Sequence, residues 1–232
     1  MLLKTDLHLH TSEDPIDTFI TYSAKELIDE AEKKEFDVLS ITLHDYLLDD
    51  LEIKEYAESK GILLIPGIEK KIEGKEFLLY NFTKEELSNI NKIEDLKQIK
   101  KQHHLIIAPH PFYHGTSCLG NKLNEINEII DGVEYCYFYT KYFNLNKKAE
   151  QFSKKYNKTL VASSDSHKLT NFGKNYSQVN SDKDINSVIE AIKEGNVLIK
   201  TEPLSIFQIF KELIQFKISF IKRLIKNVRT RN

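Results

Sequence analysis

The sequence predicts an α/β protein of about seven strand–helix units, and three observations lead there. Apolar stretches of strand length alternate with helical stretches up to residue 200, the arrangement that makes βαβ units and a parallel sheet. No repeat or low-complexity linker interrupts the alternation. Histidines and carboxylates recur at the ends of the strand-like stretches. One closed, barrel-like sheet is the simplest architecture, and a doubly wound open sheet is the alternative.

LLKTDLHLH opens the chain as a strand. SAKELIDEAEKKE follows as a helix, with Ala24, Leu27, Ile28 and Ala31 on one face and Ser23 as N-cap. FDVLSITLH is a second strand, and LEIKEYAESKG a short helix stopped by Gly61. ILLIPGIE is a third strand, and KEFLLYNF an added one reached by a turn at Gly74. TKEELSNINKIEDLKQIKKQ reads as helical, and LIIAPHPF as a strand ended by Pro109 and Pro111. NKLNEINEII and NLNKKAEQFSKKY read as helices, GVEYCYFY and TLVASSDSH as strands. The helix DINSVIEAIKEG and the strand NVLIK complete a domain spanning residues 1–203.

Composition narrows the classes of function. The 232 residues carry a net charge of −2, so the chain as a whole is no general nucleic-acid binder. Cys118 and Cys136 show no CxxC spacing, which suits a reducing, cytoplasmic compartment. No signal peptide or membrane span is expected. Residues 204–232 differ: seven Lys/Arg against one acid give +6, leaving −8 on the rest. The acidic body argues against a long nucleic acid as substrate. In the tail, Ile206, Phe210, Leu213, Ile214, Ile221, Leu224, Ile225 and Val228 fall at helical spacing. This predicts a basic amphipathic C-terminal helix that packs on the domain, self-associates or lies on an anionic membrane surface, the inner face of the cell membrane among them.

The chemistry concentrates at strand ends. In TDLHLHTSEDP, Asp6, His8 and His10 share one face of the first strand. His44 ends the second strand, Glu69 the third, His110 a later one, and Asp165 and His167 another. Of eight histidines, five end strands and a sixth, His114, follows His110 by four residues. In a parallel α/β barrel such ends converge on one mouth. Imidazoles and carboxylates without thiolate suit Zn, Mn or Fe. The set exceeds the needs of one ion, and Glu69 could bridge two, so two or three divalent ions are expected. His103 and His104 read as surface residues, and the two cysteines as inert thiols.

The pieces DLHLHTSED, SITLHD, IPGIE, APHPF and SSDSHKLTNFG resemble, in order, the motifs of the PHP (polymerase and histidinol phosphatase) superfamily of metal-dependent phosphoesterases. The resemblance implies a distorted (β/α)7 barrel. It implies one ion on His8, His10, Glu69 and Asp165, and a second on Glu69 and His110. A third would use His44, His167 and an acid of the first loop, Asp14 with Asp17 as competitor. The activity implied is hydrolysis of a phosphomonoester of a small molecule or nucleotide by a metal-activated hydroxide. Asp165, His167 and His114 are the candidate catalytic residues. A metal-binding regulatory module without turnover and an exonuclease-type phosphoesterase are the alternatives. The chain departs from the family pattern in having Leu43 before His44, no histidine after GVEYCYFY to complete the second site, where Glu134, Cys136, Tyr137 or His114 could substitute, and no Arg near HPF, where His114, Lys168 or Lys174 could supply positive charge.

Overall fold

A computed structural model describes residues 1–113, 115–211 and 214. The described residues form two compact units: Met1–Tyr137 with Leu145–Glu202, and Phe138–Asn144 with the described residues from Pro203 on. The first unit runs β1 (Leu2–Leu9), α1 (Ala24–Lys33), β2 (Val38–Ile41), α2 (Leu51–Ser59), β3 (Leu63–Leu64), β4 (Gly67–Ile72) and β5 (Lys75–Tyr80). It continues with α3 (Lys84–Ser88), α4 (Ile93–Ile99), β6 (Leu105–Ala108), α5 (Lys122–Glu125), β7 (Gly132–Tyr135) and α6 (Asn146–Tyr156). Its last elements are β8 (Thr159–Ala162), β9 (Tyr176–Asn180), α7 (Ile185–Lys193) and β10 (Val197–Lys200).

The closed parallel barrel is not what forms. There are two five-stranded sheets, ordered β10-β9-β1-β2-β3 and β4-β5-β6-β7-β8. Among the described residues the β-bridges between them are the isolated pairs His44↔Glu69 and Leu9↔Ser166. The stretch ILLIPGIE divides between the sheets, because Pro66 has no N–H to continue a ladder. Nor are the sheets purely parallel. β5 runs antiparallel to β4 and β6, and β9 antiparallel to β1 and β10. A tight turn at Glu73–Gly74, with φ of 48° and 77°, folds β5 straight back on β4. β9 was not expected from the sequence, since YSQVN lacks a sustained apolar run.

Helix starts follow local chemistry. Ser23 accepts from Glu26 N–H while the Glu26 carboxylate accepts from Ser23 N–H, a reciprocal cap on α1. The long helical stretch after β5 is two short helices, and NKLNEINEII keeps helix only at Lys122–Glu125. A shared core binds the two sheets: Leu3, Leu7 and Val38 from one meet Leu78, Tyr80, Leu105, Ile107 and Val161 from the other. Helices α1 and α2 cover the first sheet through Leu27, Ile28, Ile53 and Ala57. Helices α4 and α6 contribute Leu96 and Phe152 to the core beside the second.

His104 is buried, contrary to the surface position expected. Its ring stacks on Phe82 at 3.8 Å, and Nδ1 accepts from Lys101 N–H. Burial holds its pKa down at about 4. A base with a lowered folded pKa is neutral in the fold and charged in the unfolded chain between the two values. Its contribution to stability is therefore full above pH 6.5 and lost as pH falls towards 4. Replacing it with Asn, whose Oδ1 can take over the Lys101 bond, should flatten the fall in urea midpoint over that window relative to wild type. Identical pH slopes would contradict the assignment.

In the second unit, Thr140 Oγ1 accepts from Tyr142 and Phe143 N–H, and Leu204 N–H donates to Tyr139 O at 2.8 Å. Helix begins at Ile206. The apolar residues Ile206, Phe207 and Phe210 are exposed. Beyond Phe210 the expected amphipathic helix, apart from Lys211 and Ile214, lies outside the described residues. No helix among the described residues is long and apolar enough to cross a membrane.

Candidate metal centre

Glycine and proline chemistry brings the strand ends together. A Cβ on Gly67 would lie 2.2 Å from Ser40 Oγ, so only glycine lets β4 pass this close to β2. Glu69 N–H then donates to Leu43 O, and Asp45 N–H to Glu69 O, setting Glu69 against His44. At the other seam His10 N–H and Tyr22 O–H both donate to Ser166 O, setting the SSDSH segment against β1. Asp165 and His110 hold φ of 44° and 28°, unusual values for non-glycine residues. Backbone strain of this kind persists where surrounding bonds enforce it.

Those bonds come from two buried carboxylates. Glu134 Oε2 accepts from His110 N–H at 2.7 Å. Asp6 Oδ1 accepts from Ser164 N–H at 3.1 Å, one residue before Asp165. Burial, only partly offset by these bonds, lifts Asp6 to about 7.

Five imidazoles share one arrangement. His8 Nδ1–H donates to Glu134 Oε1 at 2.9 Å. His10 and His44 both donate Nδ1–H to Asp14 Oδ2, at 3.1 and 2.8 Å. His110 Nδ1 meets Cys118 Sγ at 3.4 Å, and His167 Nδ1–H donates to the Asp165 carbonyl at 3.1 Å. With Nδ1 held from outside, Nε2 turns inward. The Nε2 atoms of His8, His10 and His44 lie 3.3–3.4 Å from Glu69 Oε2. His110 Nε2 lies 3.4 Å from Glu69 Oε1. Those of His8 and His10 also lie 3.5 Å from Asp165 Oδ1. His167 Nε2 lies 3.0 Å from Asp17 Oδ2. The His10 ring stacks between His44 and His167, at 4.5 and 4.3 Å.

Opposite charges in this pocket shift one another's ionisation. Burial opposes charge on every group, yet the carboxylates of Glu134, Asp165 and Glu69 lift His8 to about 10. Burial likewise opposes ionisation of Glu69 and Asp165, and the surrounding histidines outweigh it, holding both well below the usual carboxylate range. Buried His8 Nε2, His10 Nε2 and Glu69 Oε1 have no hydrogen-bond partner. Unpaired inward atoms on outwardly anchored imidazoles fit a divalent cation. Two overlapping groups, His8–His10–Glu69 and His10–His44–His167, each place their ligand atoms within 4.8 Å of one another.

The structure thus brings together His8, His10, His44, Glu69, His110, Asp165 and His167. Asp14 sits behind the pocket: Oδ2 is taken by His10 and His44, and Oδ1 by the Ile16 and Asp17 N–H groups. Asp17 is the loop acid that faces a ring Nε2. His114 lies outside the described residues. Cys118, read as inert, is the partner of His110 Nδ1. The outer role of Glu134 was also missed. Its signal was a charged residue inside the apolar strand GVEY, a position that needs a partner.

Residues 144–197 match the family described as PHP-associated. The matched segment, about a quarter of the chain, is similar to that family. An uncharacterized protein of Methanocaldococcus jannaschii is 27% identical over 139 residues, covering 57% of this chain and 80% of its own length. A two-domain protein of Bacteroides vulgatus, described as containing a predicted PHP-like metal-dependent phosphoesterase, superposes with a TM-score of 0.66 at 18% identity. That match covers 93% of this chain and 70% of the other. PsfC of Pseudomonas syringae superposes with a TM-score of 0.61 at 16% identity, covering 96% and 98%. At these identities the superpositions show a shared fold alone.

Proposed function

We propose that the chain is a metal-dependent hydrolase of a phosphomonoester borne by a small molecule or nucleotide. The carrying observation is the set of five imidazoles, each tied at Nδ1 and turned inward at Nε2 onto acidic side chains. His8, His10, Glu69 and Asp165 would hold one ion, Glu69 and His110 a second, and His44, His167 and Asp17 a third. Asp14 orients His10 and His44 in this reading. The oxygen- and nitrogen-rich donor set suits Mn, Zn or Fe. Such ions, when bound, polarise a phosphoryl group and lower the pKa of water. The protein's own part is to keep the imidazoles in one tautomer, to hold Asp165 and His110 in strained positions, and to concentrate negative charge where cations bind. His167 Nε2 lies 3.0 Å from Asp17 Oδ2, which makes the two side chains a candidate ligand pair. The −8 body favours a small substrate over a long polyanion.

The test is hydrolysis of a generic aryl phosphate by protein equilibrated with Mn²⁺, beside Asp165→Asn. Asn tolerates the positive φ of this position, so the variant should fold. Turnover in wild type that disappears in the variant supports the reading. Equal turnover in both would remove Asp165 from the site.

A further inference from the structure

We propose that Glu76 is the missing ligand of the second metal position, so that this ion is held by Glu69, Glu76 and His110. The proposal rests on the cluster being a metal centre. The sequence offers no histidine after GVEYCYFY to complete that position. Glu134, on that strand, is committed elsewhere: Oε1 to His8 and Ser163, Oε2 to His110 N–H. The two oxygens of Glu69 face different groups. Oε2 faces the Nε2 atoms of His8, His10 and His44, while Oε1 faces His110 and is buried without a hydrogen-bond partner. On that second side a Glu76 carboxylate oxygen, a Glu69 oxygen and a His110 ring nitrogen all lie within 4.8 Å of one another.

Register places Glu76 there. In the β4–β5 hairpin Glu69 pairs with Leu78 and Lys71 with Glu76. Paired residues share a face and alternate along a strand, so Glu69 and Glu76 project from the same side of the sheet. A one-residue slip would send Glu76 to the opposite side, and the tight Glu73–Gly74 turn guards against it. The same strand clasps the loop behind His110. Glu76 N–H donates to Ser117 O, Lys75 Nζ donates to Thr116 O and Cys118 O, and Cys118 Sγ meets His110 Nδ1. Glu76 and His110 are thereby fixed relative to one another. The Glu76 carboxylate is half-buried and has no hydrogen bond or ion pair among the described residues. Two carboxylates and one imidazole form a hard donor set, which favours Mn²⁺ or Fe²⁺ at this position.

The experiment counts metal. Full-length wild type, Glu76→Ala, Glu76→Gln and Glu76→His are equilibrated with Mn²⁺, desalted and analysed by inductively coupled plasma mass spectrometry. Circular dichroism checks the fold of each. Glu76→Ala and Glu76→Gln should retain one ion fewer per chain than wild type, and Glu76→His should restore it. Wild-type metal content and affinity in both Ala and Gln variants would overturn the proposal. Wild type that retains no metal would instead overturn the metal-centre reading, and this proposal with it.

Discussion

Glu69→Gln is expected to lose aryl phosphatase turnover by on the order of 100-fold or more, together with tight binding of more than one ion. Among the described residues Glu69 is the one side chain whose two oxygens face separate groups of imidazoles, three at Oε2 and one at Oε1. An amide keeps the shape but presents an acceptor to one group and an N–H donor to the other. Loss of an outer partner alone typically costs 10–100-fold in metal affinity or activity, and this change strikes the inner set itself. Turnover and metal titration measure it. A variant within a few-fold of wild type in both would show that the pocket does not depend on a shared carboxylate.

Glu134→Gln should be nearly as damaging without touching the inward atoms. Glu134 accepts from His8 Nδ1–H, Ser163 O–H and the His110 N–H. A glutamine must turn its amide donors towards one of these donors. An unsatisfied buried group costs about 1–3 kcal/mol, and a loosened His8 and His110 should weaken metal binding about 10–100-fold. Urea unfolding in chelator isolates the first effect, and metal titration of the folded variant the second. Lower stability with unchanged affinity would make Glu134 a packing residue only.

How much was legible in the sequence depended on range. His8 and His10 at i, i+2, and the ends of SITLH, PGIE, APHP and SSDSH, were readable because strand alternation and strand ends are local features. The helix capped by Ser23 and the turn at Gly74 were readable for the same reason. The sheets were not. Pro66 divides one apolar run between two sheets, and the Glu73–Gly74 turn makes β5 antiparallel, so the expected parallel barrel became two open sheets. Outer partners were the hardest to find. Asp14, Glu134 and Cys118 meet Nδ1 atoms across 4 to 126 positions of chain, and nothing local separates a carboxylate that faces Nε2 atoms from one that holds an imidazole at Nδ1. His104 shows the reverse error: a polar dipeptide suggested surface, while the stacking partner that buries it, Phe82, lies 22 residues away.

The most direct test of the central claim is anomalous diffraction, recorded at the manganese edge from crystals grown with Mn²⁺. Peaks are expected within coordinating distance of His8, His10, Glu69 and Asp165, and of Glu69 and His110. Well-ordered crystals showing no anomalous density between these side chains, or density only at surface carboxylates, would contradict it.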